Sequence, residues 1–165
     1  TIFPDHRGYF YESYKRGIFD EVLGYDVNFV QDNESFSTKG TLRGIHFQKG
    51  NYAQAKLTRV VQGTVLDVAV DLRENSPTFG AHFSVELSSE NKKQLFIPRG
   101  FAHGFVVLSD TAIFSYKCDN YYHKDSESGI IYNDPTLNID WKLPNDQLQL
   151  SKKDLELPGF KPLEL

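Results

Sequence analysis

The chain has 165 residues, 39% hydrophobic and 24% charged, enough apolar material for one domain with a real core and too much for a disordered segment. Its net charge of −4 excludes the broad basic face of a nucleic-acid or anionic-membrane binder, so an anionic ligand would need a local cluster of basic side chains. No apolar run approaches the roughly 20 residues of a membrane span, and the single cysteine, Cys118, excludes an internal disulfide framework and fits a reducing, cytoplasmic setting. Methionine is absent, position 1 included, so a further N-terminal element is expected ahead of Thr1.

Pro4-Asp5 and Gly8 are turn signals, and residues 1–12 read as a turn followed by a short strand. Ile18, Phe19, Val22 and Leu23 recur at helical spacing and predict a short helix within residues 16–25. Residues 29–35 begin apolar and become polar, which suggests a strand with one side toward a cavity or solvent. The stretch from Gly40 to Gln48 then sets Arg43 and His46 three residues apart around Gly44. In an extended strand these two fall on opposite faces unless the backbone bends at the glycine. A basic residue beside a titratable imidazole suits an anionic ligand and proton transfer, the alternative being an ordinary surface strand.

Beyond residue 56 the β signal is strong. Residues 57–61 and 64–71 flank Gln62-Gly63 and read as a hairpin. Phe83, Val85 and Leu87 alternate with His82, Ser84, Glu86 and Ser88, and residues 94–98 read as a strand that must end at Pro98 or sit at a sheet edge. Residues 105–108 and 112–117 read as a second strand pair around Ser109-Asp110. Residues 119–135 read as a loop with one short strand at 130–132, and Ser151 caps a short helix near the end. Many short strands with few helices predict an all-β sandwich or barrel spanning 1–165 as a single domain.

Pro98-Arg-Gly-Phe-Ala-His103, between two strands, resembles the second motif of the cupin barrels, a jelly roll. Metal-binding cupins use His-x-His in their first motif. Here that stretch reads His46-Phe-Gln48 with no suitable glutamate, so no metal and no cofactor are expected.

The resemblance then widens to nearly the whole chain. The stretches Asp5-His-Arg7-Gly8, Gln31-Asp-Asn33, Leu42-Arg43-Gly-Ile-His46-Phe-Gln48, Gln54-Ala-Lys56-Leu-Thr-Arg59, Asp67-Val-Ala-Val-Asp71, Ser76-Pro-Thr-Phe-Gly80, Tyr116-Lys117 and Leu150-Ser-Lys-Lys-Asp154 resemble, in order, those of the dTDP-4-dehydrorhamnose 3,5-epimerase family. These are metal-free cupins acting on nucleotide-linked keto sugars. The resemblance implies a cupin-type jelly roll with a few short helices. It also implies an enzyme inverting C3 and C5 of dTDP-4-dehydro-6-deoxy-D-glucose on the route to dTDP-L-rhamnose.

A 4-keto group acidifies the neighbouring C–H bonds, and inversion then needs a base on one face, an acid on the other, and a cation for the enolate. The resemblance assigns these roles to His46, Tyr116 and Lys56, with Asp154 orienting His46, although Asp67 and Asp71 are also candidates for that partner. From strand alternation alone Tyr116 reads as a core tyrosine. Arg43 and Arg59 resemble diphosphate and active-site contacts. Arg7, Glu12, Gln31, Asp32 and Asn33 match nucleotide contacts that can come from a neighbouring subunit of a homodimer. His103, Glu127 and Lys152 match further substrate contacts, and Tyr122, with adjacent Tyr121 as the alternative, matches a residue that stacks on a base or sugar face. The rivals are an epimerase of a single centre, a non-catalytic sugar-nucleotide-binding cupin, and a metal-dependent cupin oxygenase.

Overall fold

A computed structural model describes residues 1–160. A small hairpin, β1 (Ile2–Asp5) and β2 (Gly8–Tyr11), precedes helix α1 (Arg16–Leu23). Nine further strands form two sheets. One has the order β3 (Gln31–Thr38), β10 (Thr111–Cys118), β5 (Lys56–Gln62), β8 (Gln94–Ile97). The other runs β11 (Glu127–Gly129), β4 (Leu42–Gln48), β9 (Phe101–Val107), β6 (Thr64–Asp71), β7 (His82–Ser88). All pairings are antiparallel, and together they make a cupin-type jelly roll.

Two turns read differently from the expected hairpins. β5 does not pair with β6, nor β9 with β10; each turn carries the chain from one sheet to the other. Local turn chemistry is the same in both cases, so only the long-range pairing separates a hairpin from a barrel corner. The two corners lock together. Thr64 N donates to Ser109 Oγ at 2.8 Å, and Ser109 Oγ donates to Thr111 O at 2.7 Å. Gly63 sits at φ +81°, where a Cβ would fall 2.1 Å from Thr111 O, so the close approach of the corners requires glycine. The late strand expected at 130–132 lies three residues earlier, at β11, where it pairs with β4.

The sheets enclose Val60, Val65, Leu87, Phe105, Val107, Ala112 and Phe114 at one end of the barrel. The outer face of the five-stranded sheet is covered by the C-terminal segment, which packs Ile130, Leu137 and Trp141 on Leu42, Ile45, Val68 and Val70. Trp141 Nε1 donates to Tyr132 O at 2.8 Å, which settles its polar end. This wrapping brings helix α2 (Lys152–Leu155), capped by Ser151 as its sequence suggests, against β4. No helix among the described residues is long and apolar enough to cross a membrane.

Candidate active site

Helix α2 delivers Asp154, 4% exposed, to His46 on β4: Nε2 lies 2.6 Å from Oδ1. The ring nitrogen facing a carboxylate carries the proton, so Nε2–H donates and Nδ1 keeps its lone pair. Burial pushes the Asp154 carboxyl up, but the hydrogen bond and charge of His46, with the Ser151 cap and the Gly44 amide, outweigh it and hold Asp154 below the ordinary carboxylate range.

The bend expected at Gly44 is present. Gly44 has φ +107°, and the ladder between β4 and β9 shifts register between Arg43 and His46. The shift lets Arg43 Nε reach Ser37 Oγ at 3.2 Å on the facing sheet while His46 still meets Asp154.

Directly across the ladder from His46 is His103 on β9. Its Nε2–H donates to Asp67 Oδ1 at 2.6 Å, and Thr58 Oγ1 donates to Asp67 Oδ2 at 2.6 Å, all three side chains being buried. Burial pushes the His103 pKa down, against the Asp67 charge that raises it, which favours a neutral imidazole. Asp71, the other aspartate considered for His46, is instead enclosed by Arg73, Ser76 and Thr78, all donating to it. Those bonds hold its carboxyl far below the usual range and fasten the 73–78 loop.

The four-stranded sheet supplies the facing wall. Tyr116 is paired with Thr58 on β5 and Asn33 on β3, and Cys118 with Lys56 and Gln31, so these side chains share the inner face. Lys56 Nζ lies 5.6 Å from the Tyr116 ring centre. Burial pushes the Lys56 ammonium below the ordinary lysine pKa, partly offset by Cys118, Asp67 and Glu127. Burial also pushes the Tyr116 phenol up, so it holds its proton at neutral pH.

At the mouth, Tyr122 OH donates to Glu127 Oε2 at 2.7 Å, and Lys153 Nζ reaches the same oxygen at 2.6 Å. Burial pushes Glu127 up, but these two bonds outweigh it and keep the carboxylate charged. The cation facing the site is therefore Lys153. The Lys152 side chain, expected there, is 90% exposed and, among the described residues, within ion-pair range of Glu156 alone.

Several other expected contacts lie apart. Asp32 alternates to the outer face of β3, where Lys117 holds it at 2.9 Å, and Arg59 is on the same outer face, donating to Tyr11 OH at 3.1 Å. Arg7 pairs with Asp5 on the exposed hairpin, and Glu12 is exposed beside Lys15. Sequence reading missed Thr58, Gln48 and Lys153. The parity of β5 would have placed Thr58 inside; no sequence signal separates Lys153 from Lys152. A cavity of about 920 Å³ opens on the Phe47 side of β4, lined by Leu72, Pro77 and Phe101, but it holds none of the catalytic candidates. Among the described residues no three His, Cys, Asp or Glu side chains are grouped to hold a metal ion.

A jelly roll with a His–carboxylate pair on one wall and a half-buried lysine and a protonated tyrosine on the other defines an acid–base catalyst of the cupin class. The sequence relationships make that class specific. The family described as dTDP-4-dehydrorhamnose 3,5-epimerase matches residues 1–162. The dTDP-4-dehydrorhamnose 3,5-epimerase of Escherichia coli K12 is 56% identical over 156 residues, 94% of this chain and 84% of that protein. The crystal structure of the enzyme of that name from Elizabethkingia anophelis NUHP1 is 59% identical, with a TM-score of 0.93, covering 97% of this chain and 87% of that one. The dTDP-6-deoxy-D-glucose-3,5-epimerase of Legionella pneumophila Philadelphia 1, solved with dTDP-4-keto-L-rhamnose, is 50% identical with a TM-score of 0.91, over 98% and 90% of the two chains. The chain belongs to the dTDP-4-dehydrorhamnose 3,5-epimerase family.

Proposed function

We propose that the protein inverts C3 and C5 of dTDP-4-dehydro-6-deoxy-D-glucose to give dTDP-4-dehydro-L-rhamnose. The observation that carries this reading is the placing of His46, oriented by Asp154, and Tyr116 on facing sheets of one barrel, with Lys56 beside Tyr116. His46 Nδ1 takes the proton from the carbon next to the C4 ketone. The electron pair moves onto the C4 oxygen, and the Lys56 ammonium stabilises the enolate. Tyr116 returns a proton to the same carbon from the opposite face; its phenolate is reprotonated from solvent, and the His46 imidazolium gives the abstracted proton up to solvent, which restores both groups. A second round at the other α-carbon completes the double inversion. No redox partner is needed, because each round only moves protons.

Arg43, Gln31, Asn33, His103, Tyr122, Glu127 and Lys153 surround this centre as substrate contacts, Arg43 supplying a fork suited to diphosphate. The Legionella relative, solved with the dTDP-linked keto sugar, supports a dTDP-linked substrate. A homodimer is part of the reading. The hairpin exposes Ile2, Phe3, Tyr9 and Phe10, and the outer face of the four-stranded sheet exposes Phe36 and Val61, an apolar surface suited to a second copy. Arg7 and Glu12 on and beside that hairpin then serve the neighbouring subunit's nucleotide site. The single cysteine supports a cytoplasmic setting.

Incubation with the 4-keto sugar nucleotide in D₂O, followed by NMR, tests the reaction. Deuterium at both C3 and C5 with inverted product is the expected result. Exchange at one carbon alone makes the protein a single-centre epimerase, and no exchange with retained nucleotide binding overturns catalysis altogether.

A further inference from the structure

We propose that Gln48 is a positioning residue that holds Tyr122 at the nucleotide end of the site and so sets nucleotide affinity rather than the rate of proton transfer, an inference that rests on the reading of Tyr122 as a nucleotide contact. Gln48 stands two residues after His46 on β4 and is 8% exposed. Its amide makes three hydrogen bonds. Nε2 donates to Tyr52 O at 2.7 Å and to Tyr121 O at 3.1 Å, and Oε1 accepts from His123 N at 2.6 Å. Tyr121 O and His123 N flank Tyr122, so the backbone on both sides of that tyrosine is tied to one buried side chain.

The surrounding contacts converge on the same segment. Gln48 pairs with Glu127 across the β4–β11 ladder, and Glu127 accepts the Tyr122 hydroxyl. Lys49 N donates to Ser126 O at 2.9 Å. The Tyr52 and His123 rings stack at 3.8 Å between centres and 11° between planes, and His123 Nδ1 lies 2.9 Å from Ser126 Oγ. Tyr122 N donates to Gln31 Oε1 at 3.2 Å. Residues 119–126 form no strand of their own, and Tyr121 and Tyr122 are 64% and 54% exposed, so side-chain clamps replace a ladder in fixing them.

The pattern specifies an amide. Two carbonyls need two donors and one N–H needs an acceptor, a set that only a primary amide offers at this length. A glutamate would turn an oxygen toward two carbonyls, and a methionine of similar shape would leave three backbone groups without partners. The strand that carries the base therefore also fastens the loop that meets the nucleotide.

Gln48→Met in the full chain tests this by titration calorimetry with dTDP and by steady-state kinetics. We expect dTDP affinity to fall about tenfold, the scale of a lost base–aromatic stack, with KM rising in step and kcat changing less than about threefold. In the Tyr122→Ala background, adding Gln48→Met should weaken dTDP binding less than about twofold, because both changes remove one contact. Should Gln48→Met not fold, the wild-type protein decides through hydrogen exchange. The His123 amide, bonded to a buried side chain, is expected to be slow, and exchange at the rate of a free amide overturns the clamp. Unchanged dTDP affinity, additive effects in the double variant, or a fall in kcat at constant KM each overturn the proposal, as does a wild-type protein that does not bind dTDP. A wild type that binds dTDP but exchanges neither C3 nor C5 removes the epimerase reading while the dTDP measurements still decide Gln48.

Discussion

His46 Nε2 and Asp154 Oδ1 lie 2.6 Å apart although 108 residues separate them in the chain. The pair exists because the C-terminal segment wraps the outer face of the five-stranded sheet and returns α2 to β4. Asp154 is held in turn by the cap it donates to, Ser151 Oγ at 3.1 Å. A carboxylate so placed fixes the imidazole in the tautomer with the proton on Nε2 and stabilises the imidazolium formed when Nδ1 takes a second proton.

Asp154→Asn tests that function with little change of shape. The asparagine amide can turn its NH₂ toward Nε2, which forces the proton onto Nδ1 and removes the lone pair needed for abstraction. We expect kcat to fall by a factor on the order of 10²–10⁴, as removal of a base-orienting carboxylate does in other His–carboxylate systems, with KM changed only a few-fold. Turnover within threefold of wild type would remove Asp154 from the mechanism.

Tyr116→Phe separates abstraction from return of the proton. His46 and Lys56 remain, so the C–H bond still breaks, but the opposite face has no donor. In D₂O the variant should wash deuterium into the substrate with retention while net inversion slows by a factor of about 10² or more, the scale of a lost general acid. Product NMR and mass spectrometry read both rates together. Inversion at the wild-type rate would make Tyr116 the core residue its strand alternation suggests.

Lys56 sets the alkaline limit. Its ammonium stabilises the enolate only when charged, and burial lowers its pKa from 10.5, so activity is present below that shifted value and lost as pH rises through it. Burial shifts Tyr116 the other way, up from 10.0. A kcat profile from pH 6 to 11 should show an alkaline midpoint below 10.5. In Lys56→Arg, whose guanidinium stays charged, residual activity should lose that limb. A limb that persists unchanged in the arginine variant assigns it to another group.

The all-β class, helix α1, most of the strands and the Ser151 cap were legible because each rests on local periodicity or turn chemistry, while β1, the first half of β9 and the place of β11 were not. The two barrel corners at 62–63 and 109–110 were not, since a two-residue turn looks the same whether the next strand pairs beside the last or crosses to the facing sheet. The partner of His46 stayed open among Asp67, Asp71 and Asp154 for the same reason. All three sit on plausible elements, and only the tertiary contacts show Asp67 bonded to His103 and Thr58 and Asp71 to Arg73, Ser76 and Thr78. Lys152 and Lys153 are adjacent, and sequence has no means of choosing which projects inward from a one-turn helix. Arg7 and Glu12 sit on and beside the exposed hairpin, apart from the other candidates, a separation that local patterning could not show.

Gly44 links fold and chemistry most directly. A Cβ at this position would fall 2.6 Å from His103 O and 2.8 Å from Gly104 Cα, both backbone atoms that no rotamer change can move. The backbone also sits at φ +107°, which a side chain tolerates poorly. Strain and overpacking together predict that Gly44→Ala destabilises the protein by about 2–5 kcal/mol. Relief comes by pushing β4 from β9, which draws His46 from Asp154. Activity at a temperature where the variant is fully folded should therefore fall at least about tenfold, since a shift of about 1 Å in a catalytic group has large consequences. Gly17→Ala is the control: it lies in α1, has nothing within 4 Å of its added Cβ and normal φ, and should be neutral or stabilising by about 0.5–1 kcal/mol. Denaturant midpoints and kcat measured on both variants check the pair. A folded Gly44→Ala enzyme with wild-type turnover would show that the bend only shapes the sheet and does not aim His46.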